Sequence, residues 1–342
     1  MPRLVSNPPN PWSSQHVELL GPAPPAELVV YEERARSIVS ENDSPDLGFR
    51  FSVNPYRGCL HACAYCYARP THQYLGFGAG TDFDRRIVVK TNAPELLRRR
   101  FMSRAWTGEL LVFSGVTDCY QPLEASYELT RRCLAVCLEF GNPVGIITKG
   151  ALVRRDAALL GELSARAGAK VHVSIPFADD ALARAIEPFA SSPSARFDTL
   201  RRLAEAGVRV GVMVAPVIPG LNDSQVPEIL ERAAAAGATS AGHVLLRLPA
   251  EVAPVFEERL REAVPLRAGK VLSALSELHG GRLNDPRFGS RMRGAGPRWQ
   301  AIESLFELHC RRLGLNEHRV GKEHDDAPRD SFRRPDPQGR LF

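Results

Sequence analysis

The sequence predicts an α/β fold with a parallel sheet, and three observations support this prediction. Short apolar runs recur along the chain, stretches with the period of an amphipathic helix follow them, and glycines stand where those helices would end. Such alternation is typical of parallel strands joined by right-handed helical crossovers.

The predicted elements follow one another regularly. Buried strands are predicted at residues 51–55, 110–114, 144–148, 170–175, 208–214 and 242–246. Helical periods follow at residues 124–140, 154–167, 197–206 and 226–236, and the glycines that would end these helices are Gly141, Gly168, Gly207 and Gly237. An open doubly wound sheet and a partial barrel both satisfy this pattern. In either fold ligands bind at the carboxyl ends of the strands, so the residues there are the candidates for a site.

The two ends of the chain differ from this regular middle. Residues 1–45 are rich in proline and polar residues and are predicted as an extended arm, either packed on the core or mobile. Residues 46–290 form the predicted core, and residues 291–322 a helical extension. The charged, proline-bearing residues 323–342 are predicted as a flexible tail.

The composition is that of an ordinary globular protein. Of the 342 residues, 44% are hydrophobic and 24% charged, which excludes global disorder, and a net charge of +5 from scattered arginines does not by itself indicate nucleic-acid binding. The chain opens without a secretory signal, and no run approaches the roughly 18 apolar residues of a membrane helix. We therefore expect a cytoplasmic protein without membrane association. In that reducing compartment, clustered cysteines indicate metal binding or catalysis rather than disulfides.

Three of the seven cysteines lie close together after the first predicted strand. Cys59, Cys63 and Cys66 fall within eight residues of a loop, so their thiolates can reach one metal centre. Thiolates suit iron–sulfur clusters, zinc and Cu(I). Zinc would need a fourth ligand, which His61 or His72 could supply, but the distant second pair of ligands that is usual in zinc sites is missing. Three thiolates on a four-iron cluster would leave one iron open to a substrate.

The spacing Cys-x-x-x-Cys-x-x-Cys, the aromatic residue before the third cysteine and the downstream strands and helices together resemble the radical S-adenosylmethionine superfamily. Within it, Tyr65-Cys66-Tyr67 resembles the signature of the spore photoproduct lyase-like branch. Residues 117–122, 147–149, 214–223 and 292–294 resemble a group of uncharacterised bacterial radical enzymes, and the likeness spans residues 49–315. It implies a partial (βα)6 TIM-like barrel with N- and C-terminal extensions.

The same resemblance implies cofactors and a reaction. Cys59, Cys63 and Cys66 would hold a [4Fe–4S] cluster that reductively cleaves S-adenosylmethionine to a 5′-deoxyadenosyl radical, which abstracts a hydrogen atom from an unidentified substrate. The electron would come from an external one-electron reductant, a flavodoxin- or ferredoxin-like protein. The chemistry belongs to the cofactors, while the protein positions them and excludes water.

The resemblance also implies which residues contact S-adenosylmethionine: Tyr65, Ser114, Thr117, Asp118, Lys149, Ser174, Ile218 and Gly220. Asp118 and its neighbours would hold the methionine amino group, Lys149 the carboxylate and Ser174 the ribose. The turn around Gly220 would contact the adenine side. Each residue also has a purely structural interpretation; Asp118, for example, could cap the following helix.

One position departs from the lyase. In that enzyme a cysteine donates a hydrogen atom to the product radical, but the matching residue here is Gly115, so the DNA-repair reaction is not carried over. Tyr65 and Tyr67, which flank Cys66, are candidates for the catalytic hydrogen donor, and so is the nearby Cys119. Alternatively, both rings only pack and Cys119 is an incidental thiol. Because residues alternate in an extended loop, we expect the two tyrosines to point to opposite sides.

The alternative function is that of a zinc-knuckle protein that binds nucleic acid. Arginines at 98–100 and between 282 and 298 would favour it. In the enzyme hypothesis, the resemblance allows a nucleic-acid lesion, a peptide or a small metabolite as the substrate, and it does not choose among them.

Overall fold

The computed structural model describes residues 27–317 and 331–335. Its strands are β1 (Val29–Glu33), β2 (Val39–Glu41), β3 (Phe51–Val53), β4 (Tyr56–Arg57), β5 (Arg86–Lys90), β6 (Leu111–Phe113), β7 (Val144–Thr148), β8 (Ala169–Ser174), β9 (Arg209–Val217) and β10 (Ser240–Leu245). Its α-helices are α1 (Thr81–Arg85), α2 (Ala93–Met102), α3 (Glu124–Tyr127), α4 (Leu129–Phe140), α5 (Ala157–Arg166), α6 (Asp180–Ile186), α7 (Pro193–Glu205), α8 (Val226–Ala235), α9 (Val252–Ala263), α10 (Pro265–Leu278) and α11 (Pro297–Arg312). Short 3-10 segments lie at Arg69–Leu75, Ala151–Asp156 and Asp223–Gln225.

The main sheet has the strand order β10-β9-β8-β7-β6-β3-β2. Strands β3, β6, β7, β8, β9 and β10 are parallel, and β2 pairs antiparallel with β3 at one edge. All six predicted strands are therefore confirmed. Each parallel strand lies beside the next one along the chain, whereas the strand order of a doubly wound sheet reverses at a switch point. The topology thus selects the partial barrel, open between β10 and β2.

The helices end where the sequence predicts. Gly141, Gly168, Gly207 and Gly237 follow α4, α5, α7 and α8, with φ angles of 63°, 96°, 78° and 92°. A φ in this range is easy for glycine and costly for residues with a side chain, so each glycine lets the chain leave its helix and enter the next strand. The strands carry the core: β3 and β6 are buried along their whole length.

A second, smaller sheet stands beside the barrel, with the order β1-β5-β4. Strand β1 runs parallel to β5, and β4 runs antiparallel to it. Of the predicted N-terminal arm, residues 27–45 thus contribute β1 to this sheet and β2 to the main sheet. Residues 1–26 of the arm lie outside the described residues.

The C-terminal part also packs on the barrel. Helix α11 lies within the predicted extension, and its Trp299 and Phe306 contact the His243 ring on β10. Of the predicted tail, residues 331–335 are described. There the ring of Phe332 stacks on Phe140, and the Arg334 guanidinium donates hydrogen bonds to three carbonyls near the end of α2. In the described ranges, no helix has both the length and the apolar character needed to cross a membrane.

Candidate functional site

The cysteine loop leaves β4 through a glycine that has no room for a side chain. Gly58 has a φ of 76°, and a Cβ there would lie 2.8 Å from Ile87 Cδ1 and 2.9 Å from the Phe83 carbonyl oxygen. The next residue, Cys59, donates its backbone N–H to that carbonyl at 3.0 Å. The loop is therefore held directly against α1 and β5.

A buried arginine fixes the middle of the loop. Arg69 is completely buried, and its guanidinium donates to the Cys63 carbonyl at 2.9 Å and to both oxygens of Asp84 at 2.9 and 3.2 Å. It also donates to the carbonyls of Ala79 and Gly80 at 3.0 and 2.9 Å. These bonds stabilise the loop in one conformation before any ligand binds. Nothing in the sequence marks Arg69, which looks like an ordinary basic residue after the third cysteine.

The three thiols influence one another. Cys59 and Cys63 are buried, Cys66 is half-buried, and burial raises the pKa of all three. The charges of Cys63 and Cys66 raise the pKa of Cys59 further, so the three sulfurs form one electrostatic group. Backbone N–H groups of His61 and Ala68 oppose this by hydrogen bonding to the sulfurs of Cys59 and Cys66.

This donor set fits an iron–sulfur cluster. N–H groups directed at sulfur stabilise the thiolate form and tune the potential of a bound cluster, and a metal that coordinates a thiol deprotonates it outright. Each cysteine of such a cluster binds a different iron. In the described residues, no group of three or more His, Cys, Asp or Glu side chains converges on the position of a single ion.

The two histidines considered as fourth zinc ligands have other partners. His61 Nδ1 lies 3.3 Å from Asp118 Oδ2, and His72 Nε2 lies 2.9 Å from the Arg86 carbonyl oxygen. The zinc alternative therefore gains no support from the structure.

The predicted residues Ser114, Thr117 and Asp118 lie together in the turn after β6. The Thr117 hydroxyl donates to the Tyr56 carbonyl at 2.9 Å, and the Ser114 hydroxyl accepts from the Cys119 N–H at 2.9 Å. The turn is thereby fastened to β4 at the start of the cysteine loop.

Asp118 connects this turn to the end of β7. Its carboxylate accepts from the Thr148 hydroxyl at 2.6 Å and from the backbone N–H groups of Lys149 and Tyr120 at 2.7 and 2.9 Å. Although burial alone would raise the pKa of Asp118, the nearby His61 and these donors lower it to about 2. The carboxylate thus already accepts hydrogen bonds from the protein itself. The sequence analysis considered a structural role for Asp118 only as a helix cap.

Lys149 faces the cysteines from the end of β7. Its ammonium lies 5.5 Å from the centre of the Tyr65 ring and 3.9 Å from Glu187 Oε1, and 17% of the side chain is exposed. Its positive charge lowers the pKa of Cys63 and Cys66, against the larger effect of burial. That Lys149 binds the carboxylate of S-adenosylmethionine stays a prediction.

Tyr65 belongs to a buried ionic network that the sequence did not reveal. Its hydroxyl donates to Glu187, and Glu187 also pairs with the buried Arg196. Arg196 in turn donates to the carbonyls of Ser174 and Ser191 at 2.9 and 2.7 Å. Burial opposes ionisation of Glu187, but Arg196 and Lys149 lower its pKa below the usual value, so it remains a carboxylate.

Tyr67 lies on the other side of Cys66. Its side chain is 53% exposed, and its hydroxyl donates to the Gly115 carbonyl at 2.9 Å. At Gly115 itself, a Cβ would lie 2.9 Å from both Cβ and Oγ of Ser52 on β3. Close packing against the neighbouring strand therefore explains why a glycine stands where the lyase has its cysteine.

The remaining predicted residues lie at or near the same edge of the sheet. Ser174 ends β8, and Ile218 and Gly220 lie in the turn after β9, where Asn222 fixes the backbone by accepting from the Ile218 N–H at 2.6 Å and donating to the Pro176 carbonyl at 2.7 Å. Cys119 is 1% exposed, and burial raises its pKa well above the usual value. It is a core thiol without access to solvent.

Comparisons with known proteins identify the family and the fold. The family model of the radical SAM superfamily matches residues 53–233. An uncharacterised protein of Mycobacterium tuberculosis is 43% identical over 195 residues, 56% of this chain and 57% of that protein. A radical SAM Nα-GlyT isomerase of Pseudomonas phage M6 is 26% identical over 287 residues, 81% of this chain and 55% of that protein. The chain thus spans little more than half the length of these relatives.

Among solved structures, spore photoproduct lyase complexed with dinucleoside spore photoproduct superimposes with a TM-score of 0.60 at 16% identity, over 87% of this chain and 86% of the lyase. A lyase variant with bound S-adenosylmethionine gives a TM-score of 0.56 at 16% identity, over 88% and 86%. At 16% sequence identity, these superpositions establish the fold of the chain alone.

Proposed function

The chain belongs to the radical S-adenosylmethionine superfamily, and on this premise we propose that it is an enzyme that binds a [4Fe–4S] cluster through Cys59, Cys63 and Cys66. The cofactors of this family are that cluster and S-adenosylmethionine. When bound, the cluster supplies the electron that cleaves S-adenosylmethionine to a 5′-deoxyadenosyl radical, which would abstract a hydrogen atom from the substrate. The observation that carries the proposal is the cysteine loop itself: three cysteines lie within eight residues, and the close packing at Gly58 and the hydrogen bonds of Arg69 hold the loop in place.

The protein's own part is to hold S-adenosylmethionine against the open iron. Lys149 would bind the methionine carboxylate, because its partly exposed ammonium faces the cysteines. The turn of Ser114, Thr117 and Asp118 would receive the amino group, which would share the Asp118 carboxylate with the protein donors already there. Ser174 would contact the ribose, and Ile218 and Gly220 the adenine side.

For the hydrogen donor, the structure favours Tyr67 over Tyr65 and Cys119. The Tyr65 hydroxyl is directed at a buried carboxylate, and Cys119 is shut off from solvent, whereas Tyr67 is open to solvent beside Gly115. Tyr65 would then pack beside the adenine. The lyase reaction itself is not proposed, since the donor cysteine is missing and its position has no room for a side chain.

Anaerobic reconstitution tests the proposal. We expect about four irons per chain with broad visible absorption, and 5′-deoxyadenosine when S-adenosylmethionine and dithionite are added. Cys59→Ala, Cys63→Ala and Cys66→Ala should each lose the cluster, whereas Cys133→Ala, which removes a core thiol of α4, should retain it. Stoichiometric zinc without iron would overturn the proposal.

A further inference from the structure

The proposed reaction needs one electron from outside, which must cross the protein surface next to the cysteine loop. Two segments cover the loop on one side. The Phe83 carbonyl at α1 accepts from Cys59 N–H at 3.0 Å, and the Phe189 N–H after α6 donates to the His61 carbonyl at 3.3 Å. Each segment is thus joined to the loop by one backbone hydrogen bond.

These two segments meet at the surface through a cation and an aromatic ring. The Arg85 guanidinium lies 4.7 Å from the centre of the Phe189 ring, which is 37% exposed. The adjacent Arg86 lies 5.4 Å from the centre of the Phe77 ring. Stacked arginines keep their charge and lose little freedom when a partner binds, so they are suited to an interface.

A third arginine extends the same surface. Arg57 on β4 is exposed, and it pairs with Val88 on β5, two residues beyond Arg86. The His72 ring lies 5.2 Å from the centre of the Phe77 ring. We call Arg57, Phe77, Arg85, Arg86 and Phe189 the arginine face.

Two carboxylates next to this face, Asp82 and Asp84, are paired within the protein. Asp84 is buried and paired with Arg69 at 2.9 Å, and Asp82 accepts from the Gly78 N–H at 2.8 Å and lies 3.2 Å from Arg86. Because Arg69 balances Asp84 and Arg86 balances Asp82, the positive charge of this surface comes from Arg57 and Arg85, with the rings of Phe77 and Phe189 beside the arginines.

We propose that the arginine face is the docking site for a small acidic protein that donates single electrons. This proposal rests on the proposed function, since only a reducible cluster at the loop needs such a partner. A positive face matches an acidic carrier, and such transient complexes are small and steered by charge. The carrier's prosthetic group would be oxidised by one electron, and the cluster reduced by one.

The test separates docking from the reaction. The variant Arg57→Gln/Arg85→Gln/Arg86→Gln is compared with Arg166→Gln/Arg201→Gln/Arg202→Gln, which removes three exposed, ion-paired arginines from α5 and α7. Stopped-flow absorbance follows cluster reduction by an acidic flavodoxin hydroquinone, and dithionite serves as the small-molecule donor. Calorimetry measures flavodoxin binding to each protein.

We expect flavodoxin-driven reduction to slow by about tenfold or more at low salt in the arginine-face variant, and its salt dependence to weaken. Flavodoxin affinity should fall in parallel. Dithionite-driven reduction and cluster content should stay unchanged, and the control variant should match the parent. Equal flavodoxin rates in the two triple variants would overturn the docking proposal, while absence of a reducible cluster in the parent protein would overturn the proposed function.

Discussion

Tyr65 and Tyr67 stand on either side of Cys66, and their hydroxyl groups lie in opposite environments. Tyr65 is buried and donates to Glu187 inside a network of charges, whereas Tyr67 is exposed and donates to one backbone carbonyl. Because side chains alternate along the loop, Tyr65 points into the interior and Tyr67 points to the solvent-facing side. The Tyr65 side is tied into the protein interior, and the Tyr67 side faces solvent.

The largest expected effect is on the Tyr65 side. Glu187→Ala leaves Arg196 buried without its counter-ion, which should lower the free energy of unfolding by about 3–5 kcal/mol. Anaerobic urea unfolding measures this. The matched control is Glu162→Ala, which breaks an ion pair with Arg166 in which both side chains are more than half exposed, and such pairs contribute at most about 1 kcal/mol. Equal losses in the two variants would show that the buried network does not hold this side together.

Lys149 links the two sides, since it contacts the network and faces the cysteines. Lys149→Ala should weaken binding of S-adenosylmethionine by roughly ten- to a hundredfold, the equivalent of about 1.5–3 kcal/mol for a lost charge-assisted hydrogen bond. Calorimetry on the cluster-loaded protein measures this, with iron content unchanged.

Asp118→Ala should weaken binding and also lower stability, because its carboxylate holds the ends of β6 and β7 together. Unaltered binding in both variants would remove these residues from the site.

On the Tyr67 side, the close packing at Gly115 can be tested by adding a methyl group there. Gly115→Ala should lower the free energy of unfolding by about 1–3 kcal/mol through overpacking against Ser52. Adding Ser52→Gly removes both contacting atoms, so the double variant should be more stable than the sum of the two single changes predicts. Strict additivity in denaturant unfolding would show that the close contact does not explain the glycine.

The sequence predicted the barrel strands because local patterns specify them: an apolar run and then a helical period that ends at a glycine. The small sheet was missed, since β1 alternates little in burial and gains its conformation by pairing with β5, more than 50 residues away. The cluster cysteines were predicted from their spacing, the aromatic residue before Cys66 and the strands and helices that follow. Glu187, which follows α6, and Arg196 on α7 were missed because single charged residues in and beside helices look like surface residues. Glu187 meets Tyr65 from 122 positions away.

Removing each tyrosine hydroxyl in turn gives the most informative comparison, and at Tyr67 it gives the smallest effect on stability. Tyr65→Phe leaves Glu187 with one donor fewer in a buried position, which should cost about 1–3 kcal/mol of unfolding free energy. Tyr67→Phe loses one bond at an exposed position, and such surface changes usually stay within about 0.5 kcal/mol. If Tyr67 donates the hydrogen atom, its variant should still form 5′-deoxyadenosine but yield less product, and the Tyr65 variant should keep its product yield. Cys119→Ala provides the control for the buried thiol. Normal product from Tyr67→Phe together with loss in Cys119→Ala would reverse the assignment, because the exposed side would then not supply the hydrogen.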